Sequence, residues 1–319
     1  VKRIKPLVLQ KADLSTEVYT RLLWAFEGIT SYYDDLALVR SGRVDVEGYL
    51  QLLAETITRV VRCSGRLKQT LSDSSFDAWT KFYKQDENSP NAIISYYAKG
   101  ALVALLLDLT IRQRTEGEKS LDDLMFALWE GHGRSGIGVE ESGIEHLAQQ
   151  VTGLDLHDFF DATLRSTAEL DLERALTSVG VGYRLRPSRG PQDQGGLRQD
   201  DDKQTGPSAV LGIRHEMQGN DLRVTHVFDG GAAQQAGLSA GDIILAVDGI
   251  RVPVDGTDKL LYGLPPDARV SIHVFRRDEL LEFELQPRPP AADTCELWLH
   301  GAADQIQLRA RAGWLKLEN

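Results

Sequence analysis

The sequence is poor in cysteine, methionine and basic charge, and has no long apolar run. Two cysteines in 319 residues, Cys63 and Cys295, cannot build a disulfide framework. The apolar run from Ala101 to Leu107 is far shorter than the roughly 20 residues of a membrane-spanning helix. Lys and Arg number 36 against 47 Asp and Glu, and the net charge of -11 argues against a surface that tracks nucleic-acid phosphates. Histidine is scattered: the seven stand at 132, 146, 157, 215, 226, 273 and 300, and no two are four residues apart. A His-Glu-x-x-His metal motif is therefore absent; His215-Glu216 begins the pattern, but Gly219 occupies the second position. The first residue is Val1, and no signal-peptide pattern follows it. The expectation is a processed chain or a piece of a longer one, cytoplasmic rather than periplasmic.

What is present is an ordinary globular composition, 42% hydrophobic and 26% charged, long enough for two or three domains. From Asp13 to about Ser178 the signal is helical. Asp13 to Ser15 offer N-cap side chains, and Val18, Leu22, Leu23, Phe26, Ile29, Tyr33 and Leu36 recur at helical steps. Further helices are expected over 45–62, 90–114, 121–129, 140–150, 156–166 and 172–179. The 90–114 helix is apolar nearly all round, the mark of a buried central helix. The adjacent acids Asp34-Asp35, Asp122-Asp123 and Glu140-Glu141 read as caps and solvated residues.

Gly182 to Arg186 has the pattern of one strand. Residues 187–206 lose periodicity, carry four glycines and the run Asp200-Asp201-Asp202, and read as a flexible linker. Beyond it the period changes to two, with short strands expected near 210–213, 222–227, 243–247, 270–275 and 280–285, and two short helices near 232–236 and 255–262. Asp248-Gly249 suits a hairpin turn. A strand at 296–299 and a helix at 303–312 form a tail too small to fold alone, which must dock on the rest.

One carboxylate stands out. Glu27 shares a helical stripe with Leu23, Phe26 and Thr30, and a carboxylate withdrawn from water needs a partner, a proton or a metal. The stretch Trp24-x-x-Glu27-Gly28-x-Thr30-x-Tyr32-Tyr33 resembles the ligand helix of the glycyl aminopeptidases, gluzincin zinc metallopeptidases with a PDZ domain near the C-terminus. Val1-Lys2-Arg3-Ile4-Lys5-Pro6 resembles the segment that follows the zinc-binding His pair in that family. The resemblance implies that Glu27 is the third zinc ligand and that the sequence begins just after His-Glu-x-x-His. It departs from the thermolysin pattern at Ser31, four residues after Glu27, so a carboxylate orienting a zinc ligand would come from elsewhere, Asp34 or Asp35. Ser95-Tyr96-Tyr97-Ala98-Lys99-Gly100 resembles the Tyr-x-Lys-Gly segment of zinc aminopeptidases and implies that Tyr97 hydrogen-bonds the oxyanion. Gly100 allows close helix approach, and Lys99 either pairs with a carboxylate or snorkels.

Residues 207–290 resemble a bacterial PDZ domain attached to proteases, with Val210-Leu211-Gly212-Ile213 in the place of its carboxylate-binding loop. Free amides there would make a nest for a peptide C-terminus, or an internal segment would lie beside Ile213 to Glu216, with Lys259 or Leu260 on the facing helix. The fold expected is thus multidomain α+β. Residues 1–186 are the all-α C-terminal half of a thermolysin-like catalytic domain, 187–206 the linker, 207–290 a PDZ-like partly open β-barrel and 291–319 the docking tail. The function expected is the C-terminal portion of a Zn2+-dependent aminopeptidase acting on peptides with small N-terminal residues, Gly or Ala. This portion alone holds no zinc and is inactive, and it binds neither nucleic acid nor membrane. The alternative is a non-catalytic PDZ peptide-binding adaptor on a helical scaffold.

Overall fold

The computed structural model describes residues 3–10, 12–13, 15–197 and 206–317. Val1 and Lys2 of the basic segment and the run Asp200–Asp202 lie outside the described residues. The element order is α1 (Leu7–Gln10), a π-helical turn (Trp24–Ile29) continuing into α2 (Thr30–Arg40), α3 (Val46–Val61), α4 (Leu71–Phe76), α5 (Ser89–Ala92), α6 (Ala98–Arg114), α7 (Leu121–Leu128), α8 (Gly143–Thr152), α9 (His157–Leu164) and α10 (Leu172–Thr177). Then come β1 (Val181–Pro187), β2 (Ile213–Gln218), β3 (Asp221–Val227), α11 (Ala232–Ala236), β4 (Ile243–Val247), β5 (Ile250–Arg251), α12 (Thr257–Tyr262), β6 (Val270–Arg276), β7 (Glu279–Leu285), β8 (Ala292–Leu299) and α13 (Gln305–Leu315).

Local chemistry accounts for most of these elements. Asp45 caps α3 by accepting from the Gly48 amide at 2.8 Å, and Tyr49, Leu50, Leu53, Ala54, Ile57 and Val60 form its buried face. In α6 the residues from Ala98 to Leu109 are all buried, including Lys99 and Asp108. The β-strands alternate as a sheet with one covered face requires, with Val270, Ile272 and Val274 buried. Asp248 and Gly249 both take positive φ, 50° and 73°, the conformation a type I′ hairpin turn needs.

Two starts differ from expectation. The helix expected to start beside Asp13–Ser15 begins at Trp24 instead. Asp13 instead closes a local turn, accepting from the Ser15 amide at 2.9 Å. Glu141 then holds the next segment out of a helix, accepting from the Thr20 hydroxyl at 2.6 Å and the Arg21 amide at 2.9 Å. The expected 90–114 helix is broken, because after α5 the chain turns extended at Ile93 before α6 begins.

There are two separate cores. One joins the α-helices to β1, β8 and α13, and includes Val181, Cys295, Leu297, Trp314 and Leu315. The other fills the six-strand sheet β2-β3-β4-β6-β7, with β5 paired to β4, and its helices, around Leu222, Val224, Ile244, Ile272 and Val274. So the helical half is not all-α: it contains β1, whose antiparallel partner β8 arrives from beyond the sheet domain, pairing Val181 with Leu299 through to Arg186 with Thr294. The buried Glu296 carboxylate accepts from Arg184 at 2.9 Å and Arg186 at 2.6 Å across that ladder. Residues 188–197 also differ from a free linker. Asp193 accepts from Arg186, the Arg62 guanidinium donates to the Asp193 carbonyl at 2.7 Å, and the Gly196 amide donates to the Cys295 carbonyl at 2.8 Å. No helix among the described residues is long and apolar enough to cross a membrane.

Candidate functional site

Glu27 lies inside the π-helical turn Trp24–Ile29, between the buried Phe26 and Gly28. Such wide turns are rare and recur at functional sites. The turn packs against the start of α6 through a glycine-to-glycine crossing. A Cβ placed on Gly28 would stand 2.6 Å from the Gly100 backbone, and one on Gly100 would stand 2.9 Å from the Trp24 carbonyl oxygen. Only residues without side chains allow this approach. It brings together the two residues singled out from sequence: Glu27 precedes Gly28, and Tyr97 lies one turn before Gly100.

Glu27 is half-buried, and its carboxylate makes no hydrogen bond or ion pair among the described residues. The Tyr97 ring packs on Tyr96 and Phe82, with centroids 4.7 and 5.9 Å apart. Burial, the nearby Tyr83 hydroxyl and the charge of Glu27 push the Tyr97 phenol up to about 12. It therefore keeps its proton at neutral pH and is a hydrogen-bond donor. Tyr96 is fully buried and donates to Tyr83 at 3.2 Å. Lys99 is buried; its ammonium reaches the Arg66 carbonyl at 3.5 Å, and burial lowers its pKa. It forms no ion pair among the described residues.

Beneath the helix bearing Glu27 is a polar hub that the sequence reading passed over. The fully buried Asp108 accepts from the Tyr32 hydroxyl at 2.7 Å, Arg112 at 2.9 Å and the Leu121 amide at 2.9 Å. The Trp314 indole donates to the Tyr32 hydroxyl at 2.8 Å, and Arg40 donates to the Trp314 carbonyl, which ties α13 to α2. Asp122, expected to be a cap or solvated, accepts from Tyr33 at 2.7 Å and Arg40 at 2.8 Å. Burial opposes its charge, yet these donors hold it down at about 2. One signal was available: a lone Asp at 108 inside an otherwise apolar helix demands partners.

In the sheet domain, Leu211 is buried and Gly212 takes φ 78°. The carbonyls of both are taken, by the Ala233 and Phe228 amides at 2.8 Å each, and Val210 bridges to Arg288. The Leu211 and Gly212 amides donate to nothing among the described residues. Ile213 opens β2, an edge strand paired only with β3. Across from it, Asp258 of α12 lies 3.1 Å from the His215 ring, while Lys259 is exposed and Leu260 half-buried.

Residues 1–103 match the model of the M61 glycyl aminopeptidase family, and residues 209–286 match that of the PDZ domain. The resemblance to glycyl aminopeptidases with a PDZ domain is borne out. An aminopeptidase N family protein from Idiomarina loihiensis aligns with 98% of this chain at 36% identity and a TM-score of 0.88, and the chain spans 52% of that protein. A serine endoprotease from Yersinia pestis matches 27% of this chain and 30% of its own at 23% identity, with a TM-score of 0.24. The HtrA-type protease AlgW with decapeptide matches 28% of this chain and 32% of its own at 22% identity, with the same score. At such scores these two carry no argument. No curated protein matches the sequence.

Glu27 and Tyr97 both fall in the glycyl aminopeptidase segment. As a metal ligand Glu27 fits, being a half-buried carboxylate with no competing partner. It is a single donor, however, and no group of three His, Cys, Asp or Glu among the described residues could hold a metal ion. No reaction step is assigned here to a metal held by this chain alone. Asp34 and Asp35 stand together with Tyr97 on the wall of a cavity of about 300 Å³. Glu27 is not part of that wall.

Proposed function

We propose that this chain is the Glu27- and PDZ-bearing part of a zinc aminopeptidase that removes small N-terminal residues, glycine or alanine, from peptides. The supporting observation is the unpartnered Glu27 carboxylate held beside the protonated Tyr97 phenol by the Gly28–Gly100 crossing. In this reading Glu27 is one of the three protein ligands a catalytic zinc takes. The other two are a His pair that this sequence does not contain, and the catalytic domain is thermolysin-like. Bound zinc supplies Lewis acidity at the scissile carbonyl and an acidified water. The Tyr97 hydroxyl donates to the oxyanion as charge develops there. The free amides of Leu211 and Gly212 receive a peptide carboxylate, and the peptide lies along the open edge of β2. The 319-residue polypeptide by itself holds no catalytic zinc and is inactive.

The test is hydrolysis of glycyl and alanyl peptides, with zinc content, by the protein as its gene encodes it. Glu27→Ala is expected to remove zinc and activity together. Tyr97→Phe is expected to keep zinc and lower kcat by about 10²- to 10³-fold with little change in KM. Undiminished turnover in both variants refutes the reading and leaves the peptide-binding adaptor in its place.

A further inference from the structure

The cavity next to Tyr97 has an unusual electrostatic character. Its wall carries Asp34, Asp35 and Glu55 against a single cation, Arg59, with Leu53 and Leu102 supplying apolar surface. Glu55 accepts from Gln51 at 3.0 Å, but Asp34 and Asp35 accept no hydrogen bond and make no ion pair among the described residues. Arg59 approaches none of the three acids within ion-pair distance there. Burial raises the Asp35 carboxyl above its usual range, and the charges of Asp34 and Glu55 add to the effect. Net negative charge in a half-enclosed, partly apolar space is unfavourable until a cation enters.

A second feature points the same way. Tyr49, also on the wall, is only 2% exposed, yet its hydroxyl makes no hydrogen bond among the described residues. Among the described residues only His273 Nδ1 is a fully buried side-chain polar atom without a partner, so the Tyr49 hydroxyl is open to the cavity and not sealed in the core. Here it lines an open cavity with three carboxylates, and so can serve an occupant. The occupant is not a metal ion, because no three ligating side chains among the described residues converge closely enough. A cavity of about 300 Å³ with apolar walls suits a longer molecule carrying its charge at one end.

We propose that this cavity binds an aliphatic organic cation, an ammonium or guanidinium on a hydrocarbon stem such as a peptide presents in a lysine or arginine side chain. The charged end sits among Asp34, Asp35 and Glu55, and the stem lies on Leu53 and Leu102. Its standing as a substrate subsite rests on the peptidase reading, since Tyr97 is shared. Its existence as a cation site does not, so the test reads binding alone.

The purified chain is titrated by NMR and calorimetry with three probes: N-acetyl-lysine N-methylamide, its uncharged norleucine counterpart, and glycinamide. The lysine compound is expected to bind saturably, at least about tenfold more tightly than the norleucine one, and more weakly in high salt. Asp35→Asn and Glu55→Gln should each weaken it about tenfold. Asp34→Asn, at an exposed position, does the same should either buried-side variant fail to fold. Stronger binding of glycinamide, which has no hydrocarbon stem, overturns the assignment to a lysine- or arginine-like ligand. Absence of saturable binding, equal binding of the norleucine compound, or affinity unchanged in the folded variants overturns the proposal.

Discussion

Gly28→Ala tests the geometry on which the candidate site depends. The added Cβ would lie 2.6 Å from both the Cα and the carbonyl carbon of Gly100, and 3.1 Å from the Ala101 amide nitrogen. Non-bonded carbons settle at about 3.5–4.0 Å, so the turn and α6 must separate by about 1 Å. All three atoms are backbone, which cannot swing aside as a side chain can. Overpacking of this kind costs about 1–3 kcal/mol. Intrinsic propensity acts oppositely, because alanine is favoured over glycine in a helix interior by about 1 kcal/mol. The expected net effect is a loss of about 0–2 kcal/mol, against a gain of up to about 1 kcal/mol where propensity acts alone. Gly131→Ala supplies the control: no atom lies within 4 Å of its would-be Cβ, so propensity alone applies and the change is neutral or stabilising. Urea unfolding followed by tryptophan fluorescence reads both, since Trp24 is buried at the crossing. If Gly28→Ala proves as stable as the parent and matches Gly131→Ala, the close approach is not what positions Glu27 against Tyr97.

Three further outcomes follow from the same contacts. Asp122 titrates at about 2 against an ordinary 3.8, so its contribution is complete above the unfolded value and disappears as pH falls through about 2. With partial exposure allowed for, this is about 1–2 kcal/mol; Asp122→Asn should flatten the acid limb of stability between pH 4 and 2, and an unchanged slope refutes it. Asn91 donates to the Val227 carbonyl at 2.8 Å and accepts from the Asp229 amide at 3.0 Å, so Asn91→Ala should speed hydrogen exchange at Asp229 by at least about tenfold. Exchange at the parent rate would show that this clamp does not hold the PDZ domain. Arg276 donates to both oxygens of the fully buried Asp242 carboxylate, at 2.7 and 2.8 Å. Arg276→Ala should lower PDZ stability by about 2–3 kcal/mol in thermal unfolding, and a wild-type melting temperature would contradict the assigned partner.

The elements most legible in the sequence were those whose local code agreed with their packing. The 45–62 helix, the 243–247 strand and the Asp248-Gly249 turn came out within a residue or so, because cap, periodicity and turn chemistry all pointed one way. Glu27 and Tyr97 are singled out by motif alone, while the close approach expected at Gly100 is what the structure shows. What stayed hidden was long-range pairing. Nothing local to Asp13 announces that Glu141 claims Thr20 and Arg21 and delays the helix to Trp24. The helix α4, Leu71–Phe76, is too short for a period to register, as are the 3-10 turn Ser64–Leu67 and the π-helical turn Ala78–Phe82 on either side of it. The cavity needed α2, α3 and α6 brought together; along the chain Asp34-Asp35 and Glu55 are ordinary helix-surface acids.

The C-terminal tail shows why the PDZ domain should be treated as an insertion rather than an appendage. β8 completes the ladder with β1, places the buried Glu296 between two arginines, and sends α13 on to seat Trp314 against Tyr49 at a ring distance of 5.6 Å. The helical core therefore includes residues from both sides of the PDZ stretch, and the module leaves and rejoins that core along neighbouring strands. A domain held at both ends has far fewer orientations than one hung from a single linker, because closing the second tether removes chain entropy in advance. Asn91 adds a third point of attachment, on the loop whose Phe228 amide bonds the Gly212 carbonyl. From Asn91 to Tyr97 is six residues. The Gly212 loop and the Gly28–Gly100 crossing are thus linked by the Phe228–Gly212 and Asp229–Asn91 hydrogen bonds and a short stretch of chain.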